Sequence, residues 1–364
     1  MSPFSPPRVL VLLPPDARLL FATRILRLFA YGLLSVVLML YLVRVGLGVA
    51  QVGVLLTLTL VGDTAVSLLL TTEADRLGRR RMLLVGSGLV FMASALFAWS
   101  HSFLLLTVAA TLGVISPSGN EVGPFLAIEL AALSQTVPVK ERALVLAWYN
   151  LVGSFATALG TLAGGALTLV LQSAGWPDLE SCRAVVVAYG LRGLLLAALF
   201  ARLSPGAEAA MGTPARPGGD AAPARPLLGL RRSRGVVMRL SALFALDAFG
   251  GGFVVQSIVA YWFHVRFGVA AGALGGIFFG ANLLAGISAL SAARLAARIS
   301  LINTMVFTHI PSNVLLMLVP LMPNVGLATT VLLLRFSISH WMSRHASPTR
   351  CRWWNPRSAP LRQG

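Results

Sequence analysis

The chain has 364 residues, of which 57% are hydrophobic and 11% charged, with a formal net charge of +17. About a quarter of the residues in a soluble domain are charged, so this composition excludes a domain that hides its apolar residues from water and calls for lipid as solvent. The positive charge does not point to nucleic acid, because the arginines sit in turns between apolar runs, the positive-inside pattern of a membrane protein. Cys182 and Cys351 lie far apart without metal-ligand spacing, so neither a disulfide framework nor a zinc site is expected, and no cofactor is called for. The apolar patch Val9–Leu13 is short and closes on Pro14-Pro15, which argues against a cleavable signal peptide.

A helix needs roughly 20 apolar residues to cross a bilayer at about 1.5 Å rise per residue. Taken in order, runs of this kind predict helices near Ile25–Val43, Val49–Thr72, Met82–Trp99, Phe103–Leu133, Ala143–Leu171 and Ala184–Ala201. Four more are predicted near Leu240–Trp262, Ala271–Ala293, Leu301–Leu321 and Val325–Ser339. The expected fold is an all-α polytopic membrane bundle of about ten transmembrane helices, six plus four. Residues 1–203 form the first half, 204–239 a linker poor in apolar residues, 240–339 the second half and 340–364 a non-membrane tail.

Arginine placement predicts orientation. Arg8, Arg18 and Arg24 are read as preceding the first helix, Arg76 and Arg79 to Arg81 fill the second turn, and Lys140 with Arg142 the fourth. Arg216, Arg225, Arg231, Arg232 and Arg234 lie in the linker, and Arg294 and Arg298 follow the eighth helix, whereas the alternate turns hold Arg44, Arg183 and Arg266. The N-terminus and linker are therefore expected in the cytoplasm, with the chain in the inner (plasma) membrane.

The second turn is the most specific feature. Asp75-Arg76-x-Gly78-Arg79-Arg80 joins two apolar runs, with Gly78 suited to a tight reversal, Asp75 to a helix N-terminus or an arginine, and the arginines to anionic headgroups. A plain positive-inside turn is the alternative reading. The pattern resembles the signature loop between helices 2 and 3 of the major facilitator superfamily, with Thr71 where that motif opens on glycine. The resemblance implies a twelve-helix plan of two facing six-helix halves and a loop that latches and breaks as the halves rock. It implies alternating access of a small solute, driven by protons or another ion, with export favoured over uptake. A monomer in lipid is expected, with no nucleic-acid partner, and an enzyme is not expected because no Ser-His-Asp or metal-protease constellation appears in the apolar runs. The alternative is a non-transporting membrane protein, either a sensor on this fold or an inactive truncation product.

Gly48-Val49-Ala50 and Gly268-Val269-Ala270 echo one another before arginine-bearing turns, in keeping with two repeated halves. The run Ser116-Pro117-Ser118-Gly119-Asn120-Glu121-Val122-Gly123-Pro124 loosens a spanning segment, which lipid tolerates where protein or a wet cavity re-satisfies the backbone. Glu121 is expected to face the interior and to bind and release a proton, or else to pair with Arg27 or Arg192. Glu129 is expected to be structural, pairing with Arg142 or a signature-loop arginine. The pathway candidates are Arg27, Asp63, Asn120, Arg192, Asp247 and Asn282, with Asp63 aligned to Asn282 through the repeat, and His309, Ser312 and Asn313 flank Pro311. The glycines Gly160, Gly164 and Gly165 read as helix packing, since no strand precedes them and no phosphate-loop lysine follows.

After Ser339 apolar periodicity gives way to arginine, tryptophan and proline. This end is read as a frameshift product that leaves the second half two helices short, and therefore loosely held; the resemblance implies an eleventh helix capped by Asp75, and no run here supplies one. A basic tail bound to anionic lipid is the alternative.

Overall fold

The computed structural model describes residues 13–113, 115, 124–138, 141–204, 242, 249–251, 254–299 and 301–339. For some of these, Asp75, Arg76 and residues 289–299 and 301–309 among them, the backbone alone is described. The helices are α1 (Pro15–Arg44), α2 (Val49–Leu77), α3 (Arg79–Trp99), α4 (Phe103–Leu112), α5 (Pro124–Thr136), α6 (Arg142–Ser173) and α7 (Asp178–Phe200). They continue as α8 (Gln256–Phe267), α9 (Ala271–Ile299), α10 (Leu301–Leu318) and α11 (Val325–Ser339), and no strand occurs among the described residues. Among the described residues, six helices are long and apolar enough to cross a membrane: α1, α2, α3, α6, α7 and α9.

Several boundaries differ from the sequence reading for identifiable reasons. α1 begins ten residues before the predicted Ile25, because Pro15 takes the first helical position, where its missing N–H costs nothing, and Asp16 occupies the first turn. Arg18 and Arg24 therefore lie inside α1 rather than ahead of it. The run predicted as one helix over Phe103–Leu133 contains two, α4 ending at Leu112 and α5 starting at Pro124. The signature turn is shorter than expected: α2 continues through Asp75 and Arg76 to Leu77, and Gly78 alone, at φ 104°, separates it from α3. An L side chain resists that backbone angle. α8 runs to Phe267 and closes on Gly268 in the left-handed region, whose N–H bonds the His264 carbonyl at 2.9 Å. α10 holds Pro311 and tightens into a 3-10 turn over Val319–Leu321.

α1 is the axle of the described bundle. Nearly every residue from Leu28 to Leu42 is buried, because α1 packs on α6, α7 and α8 at once. Helices meet inside lipid through small residues that let backbones approach, and α6 supplies them. A Cβ on Gly160 or Gly164 would strike the carbonyls of Phe29 or Leu33, and one on Gly32 of α1 would strike that of Thr157. On its other flank α6 meets α9, where a Cβ on Gly165 would come within 2.6 Å of the Ala271 carbonyl and 2.9 Å of Gly275 Cα. The predicted packing role of these glycines is thus what the backbone displays, and α6 joins the first group of helices to the second.

The periphery is built differently. α2 buries one stripe, including Val52, Leu55, Thr59, Gly62, Asp63 and Leu70, at the three-to-four residue spacing of a helix face. Its opposite face exposes Val54, Leu58, Val61, Leu68 and Leu69. An apolar outer face of this length suits acyl chains.

Candidate functional site

The interior between α1, α5, α6 and α7 is charged. α1 carries Thr23, Arg24 and Arg27 at one end of its buried face, with Tyr31 and Ser35 farther along. Arg27 and Glu129 of α5 have no exposed side-chain surface and form a forked ion pair: Nη1 faces Oε1, and Nη2 reaches Oε2 at 2.8 Å. The Thr23 hydroxyl donates to Oε1 at 2.8 Å and the Tyr149 hydroxyl of α6 donates to Oε2. Four donors therefore converge on one carboxylate. Glu129 pairs neither with Arg142, whose Nε bonds the Val137 carbonyl at 3.1 Å, nor with a described loop arginine, as the sequence had suggested.

Each of the three arginines buried among the described residues also lies over an aromatic ring, where the quadrupole offsets part of the lost hydration. Arg24 sits 4.7 Å from the Tyr149 centroid, and Arg27 is 5.2 Å from that of Phe125. Arg192 of α7 lies 4.3 Å from the Tyr31 ring and 3.8 Å from that of Tyr189. Its Nη1 donates to the Arg27 carbonyl at 3.3 Å and its Nη2 to the Tyr189 hydroxyl. Two of the predicted pathway residues, Arg27 and Arg192, are thereby brought together.

Asp63 is a third predicted residue and its setting is unlike that of Glu129. Its side chain is wholly buried on the inner stripe of α2, and neither carboxylate oxygen meets a donor among the described residues. Ser67, one turn along the same helix, also has a buried hydroxyl without a partner there. Arg192 acts on Asp63 through its charge, not through a hydrogen bond.

Asn282, the remaining described candidate, belongs to a polar chain that crosses between the two groups of helices. Its Nδ2 donates to Gln256 Oε1 at 3.2 Å, and Gln256 Nε2 donates to the Ser35 hydroxyl at 2.6 Å. Ser35 in turn donates to the Gly32 carbonyl at 2.7 Å. α8 and α9 are joined in this way to α1. Gln256, Ser35, Thr23 and Tyr149 were not singled out in the sequence, since a lone hydroxyl or amide on an apolar helix gives no signal of what it faces.

Asn120, Glu121 and Asp247 lie outside the described residues, as do the side chains of Asp75 and Arg76. Of the signature loop, Gly78 makes the turn and Arg80 donates from Nη2 to the Ala201 carbonyl at the C-terminal end of α7. The loop thus grips a neighbouring helix end, where the dipole favours a cation.

Known proteins agree with this architecture. A chain 30% identical over 331 residues, spanning 85% of this protein and 74% of its own length, is the "Uncharacterized membrane protein YJR124C" of Saccharomyces cerevisiae. Among solved structures, a bacterial homolog of the human lysosomal transporter Spinster, inward-facing and unoccupied, superposes with a TM-score of 0.63 at 18% identity. That match covers 93% of this chain and 74% of the other. A D-xylose–proton symporter superposes at 0.58 with 16% identity, covering 89% and 79%. The Major Facilitator Superfamily profile matches residues 20–348, and the chain is a multi-pass membrane protein of that superfamily.

Proposed function

We propose that the chain is a secondary active transporter that moves a small polar organic solute by alternating access, coupled to a proton gradient. The observation that carries this reading is the buried Arg27–Glu129 pair with Arg192 beside it. Ionisable side chains inside a membrane are costly, and a buried ion pair adds little to stability compared with apolar residues of the same volume. Charge kept there at that cost serves transport better than it serves folding. The fold is shared with a D-xylose–proton symporter, which is compatible with proton coupling. The acidic candidates for the proton are Glu121 and Asp63.

The conformation is best read as inward-facing. With the N-terminus in the cytoplasm, Gly165 in the last third of α6 and Gly275 at the start of α9 lie toward the outside. The tight crossing there closes the outer side. The protein acts as a monomer in the plasma membrane, and the signature loop favours movement outward.

Reconstitution in vesicles holding a trapped pH-sensitive dye tests the reading. A panel of sugars, amino acids, carboxylates and amines should contain a solute whose movement carries protons in the wild type. The movement should be weakened in Glu121→Gln and in Asp63→Asn. Solute flux that runs at the same rate with and without a pH gradient would remove proton coupling. If no member of the panel moved at all, the case for transport itself would be lost.

A further inference from the structure

We propose that Asp63, together with Ser67 one turn along α2, is the binding site of the coupling cation. The inference rests on the transport reading above and names the atoms through which that reading would operate. Asp63 Oδ1, Asp63 Oδ2 and Ser67 Oγ are three buried oxygens without a donor among the described residues. They share one helix face, because residues four apart stand one above the other. Buried polar groups are nearly always hydrogen-bonded in folded proteins. Three orphan oxygens in adjacent turns therefore mark a place whose partner is supplied from elsewhere.

The ligand must bring positive charge or a donor, and it must be small. Asp63 has no exposed surface, and the neighbouring Gly62 is pressed against the backbone and methyl of Thr111 in α4. A small monovalent cation taken by oxygen atoms meets these conditions, either a proton or Na⁺. In the proton case one Asp63 oxygen becomes an O–H and the carboxyl loses its charge, with the Ser67 hydroxyl able to accept from it. In the Na⁺ case the three oxygens coordinate the ion directly, as hard cations prefer.

Surrounding charges fit this assignment. α2 packs on α1, α3, α4 and α5. α4 carries no titratable residue, and those of α3 (Arg79, Arg80 and Arg81) lie in its first turn, far from the level of Asp63. From α1 and α5, Arg27 and Glu129 are bonded to each other, and Arg24 lies over Tyr149. Arg192 of α7 is then the described cation acting on Asp63. Glu121 lies outside the described residues. When Asp63 takes up its cation, the attraction between it and Arg192 falls. That change would act on the carbonyl of Arg27 that Arg192 holds, and so on α1, the axle of the bundle.

Infrared difference spectroscopy of the full chain in lipid tests this without knowledge of the solute. A pH jump and, separately, a Na⁺ jump are applied to the wild type, Asp63→Asn, Asp63→Glu and Ser67→Ala. If the ion is a proton, the pH jump should give a carboxylic-acid band that Asp63→Asn lacks, that Asp63→Glu retains at a shifted frequency, and that Ser67→Ala displaces. If the ion is Na⁺, the Na⁺ jump should give carboxylate-band changes with the same dependence on the variants. Asp63→Glu keeps the carboxyl, so its retained signal separates loss of the site from loss of the fold. Spectra after both jumps that are the same in the wild type and in Asp63→Asn would overturn the inference, and would leave the vesicle flux experiment to judge transport separately.

Discussion

Glu129 and Asp63 are both carboxylates without exposed surface, each on an apolar helix of the same half of the molecule, and their surroundings are opposite. Around Glu129 the chain has assembled a guanidinium fork, a threonine and a tyrosine from two neighbouring helices. Around Asp63 it has placed a buried serine that is itself without a partner, and an arginine that reaches it through charge alone. Burial by itself therefore does not define the role of an acid in a membrane. What decides is whether the protein completes the hydrogen bonding of the group or leaves that to a ligand.

The strongest way to break the comparison is to strip Glu129 of its main partner. Arg27→Ala leaves a buried carboxylate without its counter-charge, a loss that typically costs about 3–5 kcal/mol. The expected outcome is a large fall in thermal stability in detergent, read by loss of the monodisperse peak on heating. Retained stability would show that Glu129 is not held as described.

A second perturbation probes the frame that positions both sites. Gly160→Leu places a side chain against the Phe29 carbonyl and must push α6 away from α1. Overpacking of this kind costs on the order of 1–3 kcal/mol, and the effect should appear as a lower melting temperature with α1 newly open to cysteine labelling at Leu33→Cys. The smallest effect is expected at the seam between the two groups of helices. Gln256→Leu removes the link between Ser35 and Asn282, about 0.5–1.5 kcal/mol for a hydrogen bond. The balance between conformations should shift more visibly than the stability, measured as faster labelling of a cysteine at the buried neighbour, Val36→Cys, in the variant background.

Much of this was legible in the chain because lipid imposes strict rules on it. Apolar length located the start of α11 at Val325, and Asp75 to Arg80 pointed to the superfamily to which the chain belongs. The start of α1 was not legible because Pro14-Pro15 reads as a stop, whereas Pro15 opens the helix. The break between α4 and α5 was signalled by its prolines and glycines, yet apolar content alone made one helix of it. The partner of Glu129 was out of reach for a different reason. Arg27 lies 102 residues away in sequence, and which of several arginines an acid meets is decided by tight crossings such as that at Gly160, not by any local pattern. Asp63 was recognised as a polar residue in an apolar run, but an absent partner is visible only once the neighbours are in place.

The most direct test of the account compares thermal unfolding of Glu129→Gln and Asp63→Asn, two substitutions of the same size and chemistry, at neutral pH without solute. Glu129→Gln removes the counter-charge of Arg27 and turns an acceptor against its donors, so its melting temperature should fall clearly below that of the wild type. Asp63→Asn removes a carboxylate that the described protein leaves without donors, so its melting temperature should equal or exceed that of the wild type. A destabilised Asp63→Asn beside an unaffected Glu129→Gln would contradict the account.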